Sequence, residues 1–231
     1  MTSLPDGYQA LVIGGSGAIG AAFAAQLQAD PRCGRVLALH RHSQPAVDYD
    51  RADNLAAAAE ALRSQAPWHL VIVATGMLHG AAVAPEKRLA ELKLAALETV
   101  FRTNTFGPAL LLGLVAPLLD RQRSLLAVLS AKVGSIGDNR LGGWYAYRAS
   151  KAALNMIVKT ASIELQRTHP GAVLVALHPG TVRSGLSRPF RGDQIGRDPA
   201  QAAAQMLQAL DALGPDDSGS FVAYDGQRLP W

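Results

Sequence analysis

The chain has 231 residues, 49% of them hydrophobic but only 6% aromatic, and a net charge of +4. That supplies ample core built from Ala, Val and Leu, which suits helices packed closely on a sheet and argues against an aromatic-rich barrel. The basic residues are scattered, with no Lys/Arg run and no interleaved aromatics, so a nucleic-acid surface is not expected, whereas an anionic small ligand is compatible with the charge. The single Cys33 excludes an internal disulfide and fits a reducing compartment. Met1 to Gly7 has neither a basic nor an apolar signal region. The longest apolar run, Gly107 to Leu119, carries Pro108 and Pro117 and is too short for a bilayer, so a soluble cytoplasmic protein with no membrane partner is expected.

Gln9–Ile13 is a short apolar run, read as a buried strand. It leads into Gly14-Gly15-Ser16-Gly17-Ala18-Ile19-Gly20 and an Ala-rich helix reaching about Ala29. Strand, glycine turn and helix in that order form a dinucleotide cradle: the glycines let the backbone approach a pyrophosphate, whose charge sits on the helix N-terminus. Arg35–Leu39 is the second strand, ending at His40-Arg41-His42-Ser43. An NAD site places a carboxylate here for the ribose 2′-hydroxyl; this chain offers Arg41 instead, whose guanidinium matches a 2′-phosphate. NADP(H) is therefore expected over NAD(H), which is the alternative cofactor.

Ala46–Tyr49 reads as a third strand, with Asp50 at its end in reach of the adenine amino group. Asp53 is expected as N-cap of a helix from Asn54 to about Ser64, broken before Pro67. His69–Val73 is a fourth strand opening into Ala74, Thr75 and Gly76, small enough for a cofactor to lie on the backbone; His79 beyond it reads as solvated. Leu89–Leu119 is helical with a break near Gly107-Pro108, and Asn104 inside it must satisfy its amide, as a cap at a kink or as a functional group. Ser124–Leu129 is a fifth strand ending at Ser130-Ala131-Lys132, followed by a glycine-rich loop from Gly134 to Gly143. Gly171–Leu177 is a sixth strand ending in His178-Pro179-Gly180-Thr181-Val182; a helix from Pro199 to about Leu213 and a strand at Ser220–Tyr224 close the chain. Strands alternate with helices and no linker interrupts them, so residues 1–231 are expected to form one α/β domain with a doubly wound parallel sheet and helices on both faces.

Between the fifth and sixth strands lies Trp144–Asn155, helical by composition. Tyr147 and Lys151 leave the same face one turn apart. A free phenol titrates near ~10, too high to trade protons well at neutral pH. An ammonium beside it favours the phenolate and is expected to pull that value down.

Together the glycine turn, Asn104, a serine after the fifth strand, Tyr147-x-x-x-Lys151 and Pro179-Gly180 resemble the short-chain dehydrogenase/reductase family over essentially the whole chain. Asp138 to Lys151 looks like its C-factor and sniffer-type carbonyl reductase branch. The resemblance implies a Rossmann-like oxidoreductase that interconverts a carbonyl and an alcohol on a small molecule. By position, Tyr147 would be the general acid/base, Lys151 its pKa-lowering and ribose-binding partner, and Asn104 the holder of a relay water. A serine would bind the substrate oxygen. Pro179, Gly180 and Val182 would form the nicotinamide wall, with Ser184 at a position the family often gives to threonine. No metal is implied, and a homodimer or homotetramer is.

Three departures stand out. Ala18 replaces a frequent glycine; Val73-Ala74-Thr75-Gly76 replaces Asn-Asn-Ala-Gly, removing amides that brace the sheet; and Ala131 occupies the usual serine position. Ser130, one residue earlier, is taken as the substitute, although a one-residue shift at a strand end reverses a side chain's direction. Met77, Leu78, Leu141, Trp144 and the loop Leu186 to Gly192 suggest an apolar pocket under a small lid, with Arg188 and Arg191 read as facing water. Two other readings compete: an extended-type epimerase or dehydratase, from the spacing of Gly14, Gly17 and Gly20, and a cofactor-binding sensing or signalling protein with little turnover, from Ala131 and the C-factor likeness.

Overall fold

The computed structural model describes every residue except Ala82, and only the backbone of Ala52. Six apolar runs form the strands β1 (Tyr8–Ile13), β2 (Cys33–Leu39), β3 (Leu70–Val73), β4 (Ser124–Leu129), β5 (Ala172–His178) and β6 (Phe221–Ala223). They make one sheet, parallel throughout, in the order β2-β1-β3-β4-β5-β6. The helices are α1 (Ala18–Gln28), α2 (Ala52–Arg63), α3 (Leu94–Phe101), α4 (Gly107–Val115), α5 (Tyr145–Thr168), the one-turn α6 (Gly192–Ile195) and α7 (Pro199–Asp211).

Alternation along the strands sorts the core into two layers. Ala10, Val12, Leu70, Ile72, Leu125 and Val175 meet Phe23 and Leu27 of α1 and Ala202 and Met206 of α7. Their neighbours Leu11, Ile13, Val71, Val73, Leu126 and Leu174 meet Leu55 of α2, Leu111 and Val115 of α4, and Leu154 and Val158 of α5. Each such leucine, fully buried, contributes roughly 1.5–3 kcal/mol, so neither helix layer can be peeled away cheaply. The winding reverses between β1 and β3, which opens a crevice at their carboxyl ends. The expected doubly wound sheet with helices on both faces is present.

Three local expectations are corrected. Ala46–Tyr49 is not a strand: Val47 N–H bonds back to His40 O, and Asp48 accepts from Asp50 N in a turn. Four residues between Pro45 and Asp50, one of them the turn-forming Asp48, are too few to sustain a ladder, and Val47 and Tyr49 pack into the core without one. Asp53 is not an N-cap; α2 starts at Ala52 after Arg51, and the Asp53 charge lies in its first turn, where the helix dipole favours it. The break in the long helical run is not at Gly107-Pro108 but a π turn over Arg102–Phe106, with Pro108 harmless in the first turn of α4.

Candidate active site

At the end of β1 the chain turns on Gly14, whose φ of +89° a side chain would strain. A Cβ on Gly20 would lie 2.2 Å from Gly14 O, so only glycine lets α1 sit this close to the strand. No side chain caps α1, and Ser16, Gly17, Ala18 and Ile19 line a cavity of about 730 Å³. The first N–H groups of that helix lack intrahelical partners and carry its positive end. Gly14, Gly15 and Gly20 shape the turn from behind the cavity wall.

The cavity runs past Ala74, Thr75 and Gly76 to Tyr147 and Lys151, and on to Pro179, Gly180, Val182 and Ser184. The Lys151 ammonium donates to Leu129 O at 2.8 Å. Burial pushes it down to about 7 and pushes the Tyr147 phenol up to about 12. That corrects the expected lowering of the phenol: desolvation disfavours the charged form of each group. The phenol is held protonated at neutral pH, which suits a proton donor.

Asn104 is fully buried in the π turn. Its Oδ1 accepts from Met77 N at 2.8 Å, and its Nδ2 donates to Met77 O at 2.9 Å and to Ser150 Oγ at 3.1 Å. Thr105 Oγ1 donates to Ser150 O at 2.8 Å. The extra residue of the π turn thus aims two neighbours at α5 and ties the loop after β3 to it. A methyl on Gly76 would lie 3.6 Å from both Asn104 Oδ1 and Lys151 Nζ, which places those two groups around one spot at the cavity edge. The missing family amides have a substitute here: Tyr49 Oη and Thr75 Oγ1 share a hydrogen bond of 3.0 Å.

Ser130 lies at the cavity wall, but its hydroxyl is turned inward and donates to Asn155 Oδ1 at 2.6 Å. Ala131 faces the cavity beside it. The strand alternation that made Ser130 an awkward substitute is what the structure displays, and its proton is committed to α5.

At the other end, Arg41 is exposed on the turn after β2, which Ser43 closes by hydrogen bonds with His40; Arg41 has no ion pair among the described residues. Asp50 is also exposed and pairs with Arg102 at 3.0 Å. Neither residue lines the cavity. Nor does Leu141, which is 92% exposed, or Met77. Arg188 pairs with Asp193, and Arg191 bonds Gln194, both off the cavity.

His178 and Glu86 escaped the sequence reading and His79 was read as solvated, whereas Trp144 and the lid loop holding Phe190 were expected at the pocket. His79 is no solvated loop residue: its Nε2 is 3.2 Å from both Gly185 O and Leu186 O. Phe190 from the lid packs on Trp144 at 4.9 Å and on His79 at 5.8 Å. The lid's two ends are paired through Arg183 N to Arg197 O and Arg197 N to Thr181 O. His178 lines the cavity, accepts from Lys132 N, and is driven down to about 4 by burial and the nearby Lys132 and Arg197 charges. Glu86 is 4% exposed and bonds Ala146 N. A histidine before Pro179-Gly180 was the only advance signal; the Glu86 contact spans 60 residues and has no local signature.

The short chain dehydrogenase family matches residues 8–195. The chain belongs to that family. Among curated relatives, 1-hydroxy-2-glutathionyl-2-methyl-3-butene dehydrogenase of Rhodococcus sp. (strain AD45) is 39% identical over 128 residues, 55% of each chain. C-signal of Myxococcus xanthus is 37% identical over 145 residues, 62% of this chain and 83% of that one. The match to the Rhodococcus protein thus spans only about half its length. Carbonyl reductase Sniffer of D. melanogaster superposes with a TM-score of 0.80 at 24% identity, covering 97% of this chain and 99% of that one. NADPH-bound carbonyl reductase from chicken fatty liver gives 0.83 at 24% identity, covering 99% and 96%. The fold is that of short-chain dehydrogenase oxidoreductases, as the motifs implied. No described helix is long and apolar enough to cross a membrane.

Proposed function

We propose that residues 1–231 act as one domain that reduces a small-molecule carbonyl to an alcohol with NADPH, and can run the reverse reaction. The observation that carries this reading is a single cavity with an uncapped helix N-terminus at one end and a protonated, enclosed Tyr147 at the other. The residues present fit a nicotinamide dinucleotide: a turn where a Gly20 side chain would strike Gly14 O, free N–H groups on α1, and the Pro179-Gly180 wall. NADPH-bound carbonyl reductase among the structural neighbours supports the same choice, as does Arg41 in place of a carboxylate.

When bound, the nicotinamide supplies the hydride. The chain's own part is to give the proton and hold the geometry. Tyr147 donates its phenolic proton to the carbonyl oxygen as negative charge builds there, and Lys151 in its ammonium form stabilises the phenolate left behind. Asn104 ties the Met77 loop to Ser150, three residues after Tyr147, and so steadies the helix that carries the phenol. Ala131 provides no hydroxyl, which leaves Tyr147 with the main share of binding the oxygen. Trp144, Phe190 and Leu186 exclude water from it.

A second reading, a cofactor-binding signalling protein with little turnover, is favoured by Ala131 and by the likeness to C-signal. Titration with NADPH and NADH, followed by a screen of aldehydes and ketones, separates the two. Tight NADPH binding with turnover supports the reductase; tight binding with no cofactor oxidation supports the second reading; binding of neither nucleotide sinks both.

Leu94, Phe106, Leu110, Met156 and Ile163 are between 48% and 72% exposed on α3, α4, α5 and the π turn. That much apolar surface supports association with a second copy, as dimer or tetramer. A monomer by light scattering at micromolar concentration would end that idea.

A further inference from the structure

We propose that Glu86 is a positioning residue for the Tyr147 turn: its buried carboxylate caps α5 from the loop after β3 and thereby sets where the phenol stands. This rests on the reading of Tyr147 as proton donor.

The local sequence cannot start this helix by itself. Gly142, Gly143 and Trp144 are all left-handed, with φ of +62°, +64° and 52°, and Trp144 at the N-cap position contributes no side-chain cap. The first N–H groups of α5 would be left unpaired in a buried setting. Glu86 meets one of them, that of Ala146, from 60 residues away. Its Oε2 accepts from Ala146 N at 3.1 Å, and its backbone carbonyl accepts from Trp144 N. A Cβ on Gly143 would sit 3.4 Å from that carbonyl, so the loop presses directly on the helix start.

A carboxylate this buried is costly unless something offsets its charge, and the positive end of a 24-residue helix is suited to that. Tyr147 follows Ala146 directly. Three residues later, Ser150 is held by Asn104 and Thr105. The turn bearing the phenol is therefore pinned at its head by Glu86 and at its side by the π turn. Both clamps reach the same segment, because Asn104 also grips Met77 at the start of the Glu86 loop. Losing Glu86 frees the head of the turn while leaving Lys151, the glycine turn and the Pro179-Gly180 wall in place.

The test compares the NADPH-loaded parent with Glu86→Ala, Glu86→Asp and Glu86→Gln. It measures amide hydrogen exchange over residues 145–151, and NADPH oxidation with benzaldehyde. Glu86→Ala should exchange at least tenfold faster in this segment and lose kcat by roughly 10- to 100-fold, the cost of a small misplacement at a reacting group. NADPH Kd and aldehyde KM should stay within about twofold. Glu86→Asp keeps the charge but falls short of Ala146 N, and should behave like Glu86→Ala even if the latter folds poorly. Glu86→Gln keeps an acceptor oxygen and should restore both readouts. Unchanged exchange in Glu86→Ala and Glu86→Asp overturns the proposal, and so does faster exchange with unaltered kcat. A parent that binds NADPH but oxidises none with benzaldehyde or with any aldehyde or ketone of the screen overturns the reductase reading instead, while the exchange pattern still decides whether Glu86 holds the turn.

Discussion

Around Tyr147 almost every polar group is gripped by another: Lys151 by Leu129 O, Asn104 by Met77 and Ser150, Ser130 by Asn155, Ala146 by Glu86. After β2, Arg41 stands exposed on a four-residue turn, and among the described residues the Asp50 carboxylate pairs with Arg102, itself exposed. The contrast follows from burial. In a dry interior an unmade hydrogen bond costs about 1–3 kcal/mol, so groups there are fixed before any ligand arrives. On the surface an ion pair contributes about 0–1 kcal/mol, so little holds exposed side chains such as Arg41 in one place. On the proposed reading, the inner end would carry the chemistry and the outer end would recognise the cofactor by charge.

Substitutions at each end test that division. Tyr147→Phe should lower turnover by roughly 10²- to 10⁴-fold while NADPH binding by nicotinamide fluorescence barely moves. A variant keeping more than a tenth of parent activity would take the phenol out of the reaction. Next in size is the pH response of the inner end. Lys151 is charged below about 7 and neutral above it, whereas Tyr147 keeps its proton up to about 12. Carbonyl reduction should therefore decline as pH rises through about 7, approaching tenfold per pH unit; a flat kcat/KM between pH 6 and 9 would show that the lysine charge does not matter.

At the outer end, Arg41→Ala should weaken NADPH binding about tenfold, or ~1.4 kcal/mol, and leave NADH binding and thermal stability unchanged. Equal losses for both nucleotides would contradict a 2′-phosphate contact. The smallest effect should be a gain. Ala131→Ser puts a donor beside the cavity and should raise kcat/KM by roughly two- to tenfold, the worth of one hydrogen bond. A serine that slows the enzyme would mean the cavity needs the space.

Much of this was readable along the chain. The apolar runs of β1, β3, β4 and β5 announce buried strands, and the spacing of Gly14, Gly17 and Gly20 announces the turn, because both depend on neighbours within a few residues. The failed third strand had the right residue types but too few of them between Pro45 and Asp50. The π turn left no local trace, since one extra residue in a helix is visible only when Asn104 finds Met77 and Ser150. The direction of the Tyr147 shift has a related cause: spacing shows that Lys151 is near, but not how far folding desolvates each group.

The sequence by itself determined the alternation of strands and helices, the glycine turn and the pairing of Tyr147 with Lys151 on one helical face, all set by covalent geometry over a few residues. Only the tertiary structure decided that Ser130 finds Asn155, that Tyr49 braces Thr75, and that α5 begins against Glu86. Those contacts join segments 25 to 60 residues apart, and they form because folding removes water from polar groups that must then find each other.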